Sequence, residues 1–66
     1  MIKFEIMGKK GHASVAYDLE AAEMKFNELK ESNLIPFEKK DGSLKKIDKF
    51  KPDAEVIRFM PRIAGG

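Results

Sequence analysis

Glu55-Val56-Ile57-Arg58-Phe59-Met60-Pro61-Arg62-Ile63-Ala64-Gly65-Gly66 closes the chain with a period-two pattern that runs into a proline and then into two glycines. Ile57, Phe59, Pro61 and Ile63 fall on one face of an extended strand; Val56, Arg58, Met60 and Arg62 fall on the other, which is mixed rather than wholly polar. The final strand is expected from Glu55 to about Arg62, and because Pro61 has no N–H to give to a ladder its hydrogen-bonded part is expected to end near Met60. Fully extended, Ile63 to Gly66 would reach about 13 Å beyond it.

The other strong strand pattern stands at the opposite end. Ile2, Phe4 and Ile6 alternate with Lys3 and Glu5, the mark of a half-buried strand. Gly8-Lys9-Lys10-Gly11 supplies turn residues, read as a four-residue connection, and alternation resumes with Ala13, Val15 and Tyr17 on one face and His12, Ser14 and Ala16 on the other. An N-terminal β-hairpin is the expectation.

Between the two ends lies one helix. Asp18 is placed to cap it by accepting from free N–H groups of the first turn, and Glu20 and Glu23 suit its positive dipole end. Leu19, Ala22, Phe26 and Leu29 recur at spacings of three and four and form one apolar stripe, with Met24 at its margin. The helix is expected from Leu19 to about Ser32, with Lys30 near its end and Asn33 in the left-handed conformation that stops it. Leu34-Ile35-Pro36-Phe37 reads as a short strand whose proline suits an edge, and Asp41-Gly42 as the turn of a short hairpin with an irregular return through Leu44, Ile47 and Phe50. Lys51-Pro52-Asp53 ends that return. The order strand, strand, helix, short strands, final strand predicts an α+β domain, with one helix across a mixed four- or five-stranded sheet. In the β-grasp arrangement of these elements the last strand lies beside the first, in the middle of the sheet. Residues 1–62 form the expected single domain and 63–66 a flexible tail.

A chain of 66 residues sits where one apolar core leaves only about 3–5 kcal/mol of net stability, with little room for a buried catalytic cleft. It has no cysteine, hence no disulfide framework, thiolate nucleophile or cysteine-based zinc site. His12 is the single histidine and lacks a ligand or base partner in the pattern, and Ser14 has no convincing triad partner. No catalytic residue and no metal ligand is therefore expected. Phe4, Phe26, Phe37, Phe50 and Phe59 are spread through different elements, with Phe4, Phe26 and Phe59 expected in the core. The opening residues alternate instead of forming the continuous apolar stretch of a signal peptide, and no later run approaches membrane-spanning length, which predicts a cytoplasmic protein without membrane association.

The formal net charge is only +2, yet residues 38–51 hold six lysines against Glu38, Asp41 and Asp48. Lys39, Lys40, Lys45, Lys46, Lys49 and Lys51 thus form either a solvated surface or a basic face for an acidic partner or nucleic-acid phosphate. A small non-catalytic binding module is one functional reading of the chain. The phenylalanines do not interleave with the lysines as a base-stacking platform, which weakens its single-stranded nucleic-acid form.

The other reading starts from Gly65 and Gly66. Without Cβ atoms they can lie extended in a channel too narrow for other residues, which lets a terminal carboxylate act as the reactive group. The stretch Ala54 to Gly66 resembles the ending of the β-grasp, ubiquitin-like sulfur carriers, namely the small subunit of molybdopterin synthase and the thiazole-biosynthesis carrier. There an acidic turn leads into an apolar strand, a proline, an aliphatic residue, a small residue and a terminal Gly-Gly. Asp53 and Glu55 stand at the acidic turn, and Phe59, Pro61, Ile63, Ala64, Gly65 and Gly66 match the tail. The match covers about a fifth of the chain; the lysine-rich middle segment, Asn33-Leu34-Ile35-Pro36 and Asp53-Ala54 depart from the family pattern.

The resemblance implies a carrier or protein modifier that is not itself an enzyme. A partner adenylating enzyme, using its own ATP and magnesium, would activate the Gly66 carboxylate for sulfur carriage as a thiocarboxylate or for conjugation. A sulfur-accepting synthase subunit or conjugation targets would then receive it. Ile63 and Ala64 would thread with Gly65 and Gly66 into the partner. Arg58, Phe59, Met60 and Arg62 are the expected docking residues, Arg58 and Arg62 flanking Met60 on one strand face.

Overall fold

Lys3, Phe4, Glu5 and Ile6 lie in parallel register with Val56, Ile57, Arg58 and Phe59, so the first and last strands of the chain are neighbours. The computed structural model describes residues 1–8 and 11–61. Its elements are β1 (Ile2–Gly8), β2 (Gly11–Tyr17), α1 (Leu19–Glu31), β3 (Leu34–Lys40), β4 (Ser43–Lys46) and β5 (Val56–Pro61). The five strands form one mixed sheet in the order β2-β1-β5-β3-β4, with every neighbouring pair antiparallel except β1 and β5. This is the ubiquitin-like β-grasp topology that the order of elements predicts.

The helix forms where its capping chemistry places it. Asp18 is extended (φ −73°, ψ 172°) and its carboxylate accepts from the Ala21 N–H at 2.9 Å, while its carbonyl accepts from the Ala22 N–H at 2.7 Å. At the other end the Ser32 hydroxyl donates to the Glu28 carbonyl, and Asn33 turns the chain with φ 65°. Lys30 donates from Nζ to the Asp48 carbonyl, tying the last helical turn to the loop after β4.

Ala22 and Phe26 are buried and Leu29 packs against the core, but Leu19 is 53% exposed. It is a correction to the expected stripe: Leu19 is the first helical residue and borders a shallow surface depression with Phe50 and Pro52 instead of reaching the sheet.

Ile2, Phe4, Ala22, Phe26, Ile47, Ala54, Ile57 and Phe59 make the core. Its centre is a chain of aromatic rings in which Tyr17 meets Phe4 (5.2 Å between centroids), Phe4 meets Phe59 (5.0 Å), Phe59 meets Phe26 (5.7 Å) and Phe26 meets Phe50 (5.7 Å). Tilted and edge-on ring pairs add about 0.5–1.5 kcal/mol each beyond burial. The rings connect both halves of the sheet to the helix. In so small a domain they carry a large part of the fold.

Two connections differ from expectation. Gly8 pairs with Gly11, so the first hairpin leaves two residues between its strands instead of four. Gly11 has φ +113°, which a residue with a side chain rarely adopts, and this lets β2 start one residue earlier than the hydropathy pattern does. Strand β3 extends to Lys40 and lies between β5 and β4, whereas Pro36 argues for an edge.

The register resolves this. The Pro36 carbonyl accepts from the Ile47 N–H at 3.1 Å, so its ring nitrogen also faces the β4 side, and the β3–β4 ladder begins only at Phe37–Lys46. Pro36 thus occupies the point where its strand has no ladder donor to supply. Asp41 (φ 52°) and Gly42 (φ 78°) close the second hairpin with two left-handed residues, as the Asp-Gly pair predicts. Strand β5 begins at Val56, one residue later than expected, and continues to Pro61, opposite Leu34.

Candidate functional site

Alternation along the strands divides the sheet into a helix-covered face and an open face. Register across the open face gives three rows. The first holds His12, Met7, Met60 and Ile35; the second Ser14, Glu5, Arg58, Phe37 and Lys46; the third Ala16, Lys3, Val56, Lys39 and Leu44. Met7, Ile35, Phe37 and Val56 are half-buried, Met60 is 37% exposed and Leu44 42% exposed. An apolar surface drawn from four strands therefore surrounds the centre of the sheet, a composition that marks interaction surfaces.

The charged groups on this face have a definite order. Arg58 donates from Nε to Glu5 Oε1 at 3.0 Å, and its Nη2 lies 3.0 Å from the same oxygen. Both side chains are largely covered, at 28% and 16% exposure. The Arg58 hydrogen bond, with Lys39, Arg58 and Lys3 adding positive charge, holds the Glu5 carboxyl below its ordinary pKa against the opposing effect of burial. Lys3, Lys39 and Lys46 remain around the pair, so the open face is basic with one neutralised centre. On the opposite side of the domain, α1 with its cap carries Asp18, Glu20, Glu23, Glu28 and Glu31 against Lys25 and Lys30.

The expected docking residues separate accordingly. Arg58 and Met60 stand on the open face. Phe59 is 0% exposed on the helix-covered side and belongs to the core, so it offers no surface to a partner. Arg62, Ile63, Ala64, Gly65 and Gly66, including the tail assigned to 63–66, lie outside the described residues.

The six lysines are not gathered on one surface. Lys39 and Lys46 point to the open face; Lys40 and Lys45 alternate to the other side, Lys45 opposite Glu38. Lys49 lies in the loop after β4, and Lys51 pairs with Glu38 at 3.5 Å.

Sequence reading missed Met7, Ile35, Phe37, Lys3 and Glu5 as parts of one surface. The available signal was apolar residues at positions that alternate away from the core, Met7 after Glu5 and Phe37 after Pro36.

The open depression lined by Glu38, Lys39, Lys40, Asp41, Asp53 and Glu55, about 260 Å³, mixes both charge signs and brings no nucleophile together with a base. Among the described residues no cluster of three or more His, Asp or Glu side chains is arranged to hold a metal ion, and no helix is long and apolar enough to cross a membrane. The chain matches no family model, no curated protein and no solved structure.

Proposed function

We propose that this chain is a small ubiquitin-like carrier or modifier whose Gly66 carboxylate, as the terminus of the mature protein, is adenylated by a partner enzyme. The observation that carries the reading is the course of β5. A core strand anchored by Ile57 and Phe59 lies at the centre of a β-grasp sheet, reaches Pro61 as its last residue, and is followed in sequence by Arg62-Ile63-Ala64-Gly65-Gly66.

A carboxylate is a poor electrophile at neutral pH. In the activation step a Gly66 carboxylate oxygen attacks the α-phosphorus of ATP and pyrophosphate leaves, giving a mixed anhydride. Attack on its carbonyl by a sulfide nucleophile expels AMP and leaves a thiocarboxylate; attack by a lysine amine expels AMP and leaves an isopeptide bond. ATP and magnesium belong to the partner, and so does the positioning of the reacting atoms. The contribution of this chain is a docking surface and a narrow reactive end.

The open face supports the first of these contributions. Met60, Ile35 and Phe37 provide apolar contact area, and Lys3, Lys39, Lys46 and Arg58 surround it with positive charge, a surface complementary to an acidic-rimmed apolar patch on the activating enzyme. The test is ATP–pyrophosphate exchange by a candidate adenylating enzyme. The expected result is exchange that depends on this chain and is abolished by deletion of Gly66; exchange that persists without Gly66, or full function of the truncated chain in the cell, would contradict the proposal.

A further inference from the structure

The two edges of the sheet are built differently. Strand β4, at one edge, is four residues long and contains two lysines, the usual protection against pairing with another chain. Strand β2, at the other, runs for seven residues, Gly11-His12-Ala13-Ser14-Val15-Ala16-Tyr17, with no Asp, Glu, Lys, Arg or proline. Its pairing with β1 continues without a bulge from Ile2–Tyr17 to Gly8–Gly11, and no described residue pairs with its outer side. A long, uncharged, regular edge is a template for a further strand.

The register shows which backbone groups that strand would meet. The Lys3 N–H donates to the Glu55 carbonyl at 3.0 Å, away from β2, so Lys3 and Ala16 face each other as a non-hydrogen-bonded pair and the pairs on either side of them exchange the N–H···O=C bonds. Alternation then directs Ala13, Val15 and Tyr17 toward β1 and leaves the N–H and C=O groups of His12, Ser14 and Ala16 pointing off the edge.

We infer that β2 pairs antiparallel with β2 of a second copy about a two-fold axis through Ser14. That axis places Ser14 opposite Ser14 and His12 opposite Ala16, so the three residues with free backbone groups meet one another in hydrogen-bonded register. The same axis sets Ala13 against Val15 on the helix side. None of the side chains brought together is an Asp, Glu, Lys or Arg, so the lysine–lysine repulsion that would oppose self-pairing at the β4 edge does not arise. The product is a continuous ten-stranded sheet that leaves both open faces uncovered. An interface of this kind is small, so the association is concentration-dependent. The inference rests on the β2 edge alone and does not depend on the chemistry proposed for Gly66.

Sedimentation of the full chain at concentrations up to about 1 mM tests it. The expected result is a reversible shift from one chain to two, accompanied by rising hydrogen-exchange protection at the His12, Ser14 and Ala16 amides. Ser14→Lys places two like charges on the axis and should abolish the shift. Its side chain lies on the open face beside Glu5, so circular dichroism and melting should report an intact fold. Ser14→Pro, which removes an N–H that β1 does not use, is the second variant and should act in the same direction. A protein that stays monomeric throughout, a dimer whose edge amides remain unprotected, or a dimer unaffected by both substitutions would overturn the inference. Occupation of the edge by an extended peptide of another protein in place of a second copy would overturn it equally.

Discussion

Glu5 and Arg58 meet across the parallel β1–β5 junction of the sheet, where Arg58 Nε and Nη2 both lie 3.0 Å from Glu5 Oε1. Residues 53 positions apart in sequence thus pin the register of the first strand against the last. The pair contributes about 0.5–1.5 kcal/mol, as a charge-assisted bond with partial solvent access does.

The sign of its pH dependence follows from the depressed Glu5 pKa. The stabilisation is fully present above the carboxyl's unfolded-state pKa and is lost as pH falls through the lower folded-state value. Denaturant titrations should show Glu5→Gln less stable than wild type by about 1 kcal/mol at pH 7, with the difference shrinking as the pH is taken below the ordinary glutamate range. A difference that stays constant to pH 2 would mean that the pair contributes through packing and not through charge.

Phe59 is fully buried between the rings of Phe4 and Phe26. Phe59→Ala should cost about 3–5 kcal/mol, comparable with the whole stability of a domain this size. The variant is expected to be largely unfolded by circular dichroism at 25 °C, whereas Phe59→Leu should remain folded with a lower Tm.

The helix cap offers a milder test. Asp18→Ala removes the acceptor for the Ala21 N–H and should destabilise by about 1 kcal/mol. That corresponds to a fall in Tm of about 4–8 °C for a domain of this length.

Phe37 and Met60 separate binding from folding. Both face the open side of the sheet, Met60 opposite Ile35 and Phe37 opposite Arg58. If this face docks the activating enzyme, Met60→Asp should raise the KM for the chain in pyrophosphate exchange about tenfold or more, with kcat and Tm changed little. A fall in kcat at unchanged KM would place Met60 outside the docking surface.

Much of this fold was legible because local chemistry and tertiary demand coincide. Ile2-Phe4-Ile6 and Ile57-Phe59 alternate because one side of each strand faces the helix, and Asp18 and Asn33 mark the helix ends by their capping geometry. Pro36 was harder to place. A proline argues for an edge, and only the register shows that β3 is an edge strand as far as Pro36 and an interior strand beyond it. The open face was the least legible part. Met7, Ile35, Phe37 and Met60 come from three strands, and the parallel β1–β5 junction that assembles them leaves no spacing in the sequence. The lysines show the converse: Lys39 and Lys40, or Lys45 and Lys46, are adjacent in sequence and alternate to opposite faces.

The central claim concerns Gly66, and the tail sequence provides its own handle. Trypsin cleavage after Arg62 releases Ile63-Ala64-Gly65-Gly66 from the protein isolated from its native cells. Mass spectrometry should find this peptide with sulfur in place of one carboxyl oxygen, or attached through Gly66 to lysine side chains of other proteins. A chain that always ends in an unmodified Gly66 carboxylate, or that continues beyond Gly66 in every copy, would contradict the account.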